Sequence, residues 1–212
     1  EPPPPAPETP PCRLPFDIPP GPGSWFLVQP YGSTRQAYLR RVSWYGGGQG
    51  VHFGVDFAAP CGTPVVAVDS GTIIKIDAQE HGAGPHNLLI LHENGFVSLY
   101  GHLLERPPFA AFTPVQAGQA IGVTGDPDLT CSSRPHLHLE IRDRSLYYGY
   151  DPVNFIATDW DSLALVSPGM AFQRDLDAPR RWALPGDQPV VRFGDGLLNA
   201  FARPWPPDTL GW

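Results

Sequence analysis

Between residues 24 and 156 the apolar positions come in short runs rich in β-branched and aromatic residues, cut at close intervals by Gly, Pro, Asp and Asn. Such runs predict strands, here over 64–68, 72–76, 88–92, 96–102, 119–123 and 137–142. Glu93-Asn94-Gly95 between two of them predicts a tight hairpin, because Asn-Gly tolerates the positive φ that such a turn requires. The expected product is a mainly β, single-domain protein built on antiparallel sheet. The pattern fails at both ends. Residues 1–22 hold 11 prolines, which suits an extended polyproline arm, read as a tether or a tail with no packed element. Residues 157–212 lose the strand rhythm but carry Trp160, Trp182, Trp205 and Trp212. Aromatic density of that kind predicts an irregular extension packed on the outside of the domain at 23–156, with a lid or partner-binding arm as the alternative.

Composition narrows the picture further. With 28 prolines and 23 glycines in 212 residues, an all-helical bundle is excluded, while 42% apolar residues exclude global disorder. A net charge of −7, with Lys75 the single lysine, leaves no basic face for a phosphate backbone. Nucleic acid is therefore not the expected partner. No apolar run approaches a membrane span, and the start Glu1-Pro2-Pro3 lacks the basic and apolar blocks of a signal peptide. Cys12, Cys61 and Cys131 permit one internal disulfide at most.

The histidines carry the candidate chemistry. On a strand over 137–142 and its approach, His136, His138 and Glu140 share one face, while Leu137, Leu139 and Ile141 share the other. Two imidazoles about 6.6 Å apart along a strand suit a shared metal, although the same spacing also occurs with none. His52 and Asp56 lie roughly 13 Å apart on a flat strand. They converge only if the chain bends, and Gly54 offers the place to bend. Taken alone they are equally a surface histidine and a turn aspartate. Joined to His138 they make a His, His, Asp set that leaves one tetrahedral position open, the pattern of a catalytic zinc. His102 ends a strand on which Ser98, Tyr100 and His102 share a face, where it is either an edge histidine or a site residue. His81, His86 and His92 sit in or beside turns without paired ligands and receive no catalytic role.

Taken in order, these motifs resemble the lysostaphin-type zinc metallopeptidases: His52-x-x-x-Asp56, then Tyr100-x-His102, then His136-x-His138. The segment Ala59-Pro60-Cys61-Gly62-Thr63-Pro64-Val65 is similar to the loop that follows the family's aspartate, and Gly118-Gln119-Ala120-Ile121-Gly122 with Thr124-Gly125 matches as well. The resemblance spans about 24–156. It implies an antiparallel β domain with an open groove, Zn2+ on His52, Asp56 and His138, and His102 with His136 as a catalytic pair beside the metal. It further implies a peptidoglycan hydrolase cutting stem peptides or cross-bridges, secreted, periplasmic or wall-associated. The alternative is a non-catalytic relative that binds wall peptide or activates another hydrolase. No His-Glu-x-x-His glutamate is present, so proton transfer falls to imidazole. Tyr31 or Tyr45 is expected to add an oxyanion donor. One departure stands out: the family's small Ser-Thr-Gly-like segment reads Cys131-Ser132-Ser133-Arg134 here. Because Cys61 and Cys131 flank segments expected to meet at one metal, a disulfide between them is expected. The rivals are a Cys131 thiolate ligand or two buried thiols, with Cys12 unpaired on the arm or joined to another chain.

Overall fold

The computed structural model describes residues 2–165 and 188–200. Eleven strands occur among them: β1 (Phe26–Gln29), β2 (Val55–Ala58), β3 (Pro64–Val66), β4 (Gly71–Ile76), β5 (His86–His92), β6 (Val97–Leu103), β7 (Pro114–Val115), β8 (Ala120–Val123), β9 (His136–Arg142), β10 (Tyr148–Tyr150) and β11 (Val191–Arg192). Two short helices, α1 (Arg35–Leu39) and α2 (Trp160–Leu165), complete the set with three 3₁₀ turns. The main sheet runs β1-β2-β9-β6-β5-β4-β7, with β10 beside β9 and β11 beside β10, and every pairing is antiparallel. A separate ribbon pairs β3 with β8. The β5–β6 hairpin closes as expected through Glu93-Asn94-Gly95, with Gly95 left-handed at φ 86° and the Asn94 side chain accepting from Phe96 N.

Alternation along the central strands separates core from chemistry. Val55 and Phe57 of β2, Leu137, Leu139 and Ile141 of β9, Tyr100 of β6 and Ile90 of β5 are all buried in one apolar cluster. Trp25 stacks there on Phe16 and meets Phe57 edge-on, with centroids 4.9 and 5.4 Å apart. The opposite face carries a small cluster of Leu89, Val97 and Leu99 toward one end. Toward the other end, where β2, β9 and β6 adjoin, it carries Asp56, His138 and Glu140, because Asp56 pairs with His138 and Leu99 with Glu140.

The amino-terminal segment does not stand clear of this body. Cys12 N–H donates to Phe155 O and Ala157 N–H to Cys12 O, both at 2.8 Å. Val66 N–H donates to Pro15 O, and Cys12 and Phe16 are buried. A tether reading holds for no part of 12–16, because Cys12, Leu14 and Phe16 supply the apolar contacts that proline count conceals. After α2, residues 188–200 form a strap. Phe193 N–H donates to Tyr147 O, Leu198 N–H to Gln49 O, and Gln49 reaches Gly196 O. Trp182, Trp205 and Trp212 lie outside the described residues. Among the described residues no helix is long and apolar enough to cross a membrane.

Candidate metal centre and groove

His52 comes from the loop before β2. Its backbone exchanges hydrogen bonds with Gly32, and its ring is 1% exposed. Nδ1 faces the Pro30 carbonyl at 2.8 Å, and since a carbonyl only accepts, Nδ1 carries the proton and Nε2 is left with its lone pair. That Nε2 lies 3.2 Å from Asp56 Oδ1 and 3.3 Å from His138 Nδ1, which itself lies 2.7 Å from the same oxygen. Ligand atoms of His52, Asp56 and His138 all fall within 4.8 Å of one another. The bend that joins His52 to Asp56 is real, but Gly54 serves it by size and not by φ. A Cβ there would lie 2.7 Å from both His138 Cε1 and Leu139 O.

His138 has the reverse polarity. Its Nε2–H donates to Glu140 Oε1 at 3.2 Å, and Glu140 Oε2 accepts from Arg142 Nε at 2.7 Å, so Nδ1 turns to the cluster. Burial alone lowers the pKa of this ring, yet hydrogen bonds to Asp56 and Glu140 push it up to about 9. Burial likewise works against the Asp56 carboxylate, but His52, His136 and His138 hold it well below the usual range. Two imidazole nitrogens and one buried carboxylate oxygen thus converge on one spot. That donor set fits a divalent metal such as zinc, with Glu140 and Pro30 fixing the rings from behind.

His136 and His102 stand beside this cluster. His136 Nδ1–H donates to Arg134 O at 2.7 Å, and Nε2 lies 3.9 Å from Asp56 Oδ1. The His102 ring is 4.6 Å from that of His136 and 5.9 Å from that of His138. Its expected pairing with Tyr100 on one strand face does not occur. His102 takes a left-handed φ of 57°, which breaks the alternation and turns its ring to the cluster. Tyr100 points into the core, accepting from Val68 N and Ser98 Oγ. The His102 Nδ1–H is fastened to Gly84 O. Burial first, then His136 and His138, push its pKa down to about 3. His92 is a core residue held by Ser70 O and Ser98.

The five residues line one open groove of about 410 Å³. Tyr45 stands at its edge, 5.6 Å ring to ring from His52, with its hydroxyl on Gln29 Oε1. Burial and Asp56 raise its pKa, so it stays a neutral donor. Tyr31 is elsewhere: its hydroxyl serves Gly149 O, Pro189 O and Val191 N, which removes it as an oxyanion donor. Cys61 and Cys131 form a disulfide with Cα atoms 5.7 Å apart, so neither is a ligand. Cys12 is free and buried, its thiol pushed up to about 12 by burial and Asp69. Asp126 pins the neighbouring loop, accepting from Ser133 N and Oγ and from Arg134 N. The strap meets the same loop system, with Phe193 edge-on to Phe53 beside His52. Nothing in residue order foretold the roles of Pro30 or Gly84. Glu140 was legible through its period-2 spacing from His138.

Residues 50–154 match the sequence profile of Peptidase family M23. The chain belongs to peptidase family M23. Over 96 residues this M23 chain is 38% identical to the DD-carboxypeptidase/endopeptidase Mpg of Neisseria meningitidis, covering 43% of this chain and 20% of Mpg. Lysostaphin of Staphylococcus simulans is 34% identical over 109 residues, covering 50% of this chain and 22% of lysostaphin. The M23 chain thus spans about a fifth of the length of these relatives. The crystallized catalytic domain of S. simulans lysostaphin is 28% identical with a TM-score of 0.48, covering 61% of this chain and 90% of that domain.

Proposed function

We propose that this chain is a zinc-dependent endopeptidase that hydrolyses peptide bonds in bacterial peptidoglycan, in stem peptides or cross-bridges. The observation that carries the reading is the convergence of His52, Asp56 and His138 within 4.8 Å on the floor of an open groove. The likeness to Mpg, a DD-carboxypeptidase/endopeptidase, and to the glycyl-glycine endopeptidase ALE-1 of Staphylococcus capitis, 32% identical over 109 residues, supports a peptide substrate. The Cys61–Cys131 disulfide supports an oxidising, extracytoplasmic site of action.

In this reading His52 Nε2, Asp56 Oδ1 and His138 Nδ1 hold the metal. Bound zinc supplies Lewis acidity at the scissile carbonyl and brings the pKa of water at the open position toward about 7. The rest is done by side chains. His102 and His136 each have Nδ1–H fastened to a backbone carbonyl, so both exchange protons at Nε2 alone. A neutral His102 accepts a proton or a hydrogen bond, and the pair returns a proton to the departing amine. Tyr45 can turn its neutral O–H from the long bond to Gln29 Oε1, 3.3 Å, toward the carbonyl oxygen as charge develops there. The apolar lining of Val28, Phe53 and Pro127 excludes water from the bound chain.

The test is metal content and peptidoglycan-peptide hydrolysis across three variants. His138→Ala should lose the metal and the activity together. His102→Ala and His136→Ala should keep the metal and slow hydrolysis about 10²-fold or more, the usual scale for a general acid or base. Full metal content in His138→Ala rejects the ligand set. Wall peptide bound but never cut by the zinc-loaded chain would make it a binding module instead.

A further inference from the structure

We infer that Arg134, stacked on Trp44, recognises a carboxylate on the bound peptide close to the scissile bond, so that the groove selects anionic peptides over uncharged ones. This rests on the endopeptidase reading above and names the substrate class of the same groove. Arg134 is the one permanently charged cation among the groove's lining residues, and it stands in the segment that departs from the family's small-residue pattern. Its guanidinium lies 4.7 Å from the Trp44 ring centroid. Arg40 lies 4.9 Å from the same ring. Two guanidiniums therefore meet on one indole. Neither has a carboxylate partner among the described residues, in a chain with 21 acidic side chains available. A guanidinium without a carboxylate partner gains Coulomb energy from an anion that reaches it.

Place and rigidity point the same way. Arg134 precedes His136 by two residues, its carbonyl holds the His136 ring, and its side chain lines the same groove as the His and Asp cluster. The segment is clamped by the Asp126 carboxylate and by the Cys61–Cys131 bridge. Trp44 is 52% exposed and open to a ligand. A planar fork held on an aromatic face is preorganised for bidentate contact with a carboxylate, which a lysine or an amide cannot reproduce.

The experiment uses blocked hexa-alanine peptides carrying one Glu at each position in turn, each with its Gln counterpart, so that a single carboxylate is the only difference. Binding is measured by calorimetry on the protein as purified, and kcat/KM on the zinc-loaded protein. At one or two positions the wild type should favour Glu over Gln by about tenfold or more, the worth of a charged hydrogen bond. In Arg134→Gln, which keeps the backbone carbonyl, that ratio should fall to about one. Trp44→Leu, on a separate loop, should weaken the preference in the same direction. No Glu preference in the wild type, no binding at all, or a preference retained in Arg134→Gln overturns the inference. A binding preference without any cleavage overturns the endopeptidase reading and leaves this one standing.

Discussion

Substituting Gly54 by Ala tests how closely the two strands of the metal centre are fitted. An ideal Cβ at this position lies 2.7 Å from His138 Cε1, 2.9 Å from His138 Nε2 and 2.7 Å from Leu139 O. Ordinary van der Waals contact begins at 3.4 Å, so about 0.7 Å must be found. Neither neighbour has that room. Leu139 is locked opposite Val55 in the β2–β9 ladder, and the His138 ring is held between Asp56 and Glu140. A shift of that size exceeds the roughly 0.5 Å within which a metal constellation keeps its geometry. The expected outcome is a metal affinity about 10- to 100-fold lower, the scale seen when a ring's supporting contacts are lost. Overpacking should also cost about 1–3 kcal/mol of stability. Competition with a chromophoric chelator reads the first and denaturant unfolding the second. Gly47→Ala is the control, since nothing lies within 4 Å of a Cβ there. Wild-type metal affinity in Gly54→Ala would refute the claim that size, and not backbone freedom, explains this glycine.

Two more outcomes are expected. Replacing both Cys61 and Cys131 by Ser reopens a loop of 70 residues, and on the chain-entropy argument stability should drop by about 4 kcal/mol in chemical unfolding; equal stability with and without reductant would contradict this. Asp151 is buried, caps the turn at Val153 N through Oδ1 and has no partner for Oδ2 among the described residues, and burial pushes its pKa up to about 7. Its raised folded pKa stabilises the fold fully below about pH 4 and loses that contribution as pH rises toward 7. Asp151→Asn, which keeps the capping oxygen, should therefore be more stable than wild type above pH 7 by at most about 4 kcal/mol and show a flatter pH profile. Parallel profiles would count against it.

What could be read from residue order was whatever depended on local alternation. The strands over 88–92 and 137–142 announce themselves because both faces of β5 and β9 are filled by regularly spaced side chains. The pairing of Asp56 with His138 is a register match between residues 82 apart, and it was reached through motif likeness and not through periodicity. β1, β2, β7, β10 and β11 stayed hidden because strands of two to four residues carry too few alternations to stand out. The face of His102 was misjudged because one left-handed residue reverses a rule that assumes uniform φ. The docking of Cys12 and Phe16 was missed because abundant proline masked a few decisive apolar residues.

Three of the four imidazoles in the groove are aimed by main-chain oxygens, those of Pro30, Gly84 and Arg134, and only His138 relies on a side chain. A main-chain oxygen survives any amino-acid replacement that keeps the path of the chain. Inheritance can therefore alter the side chain at position 134 freely while the ring of His136 keeps its bearing. On the reading proposed above, substrate preference and proton handling fall to different atoms of the same residue, one exchangeable by a codon change and the other not.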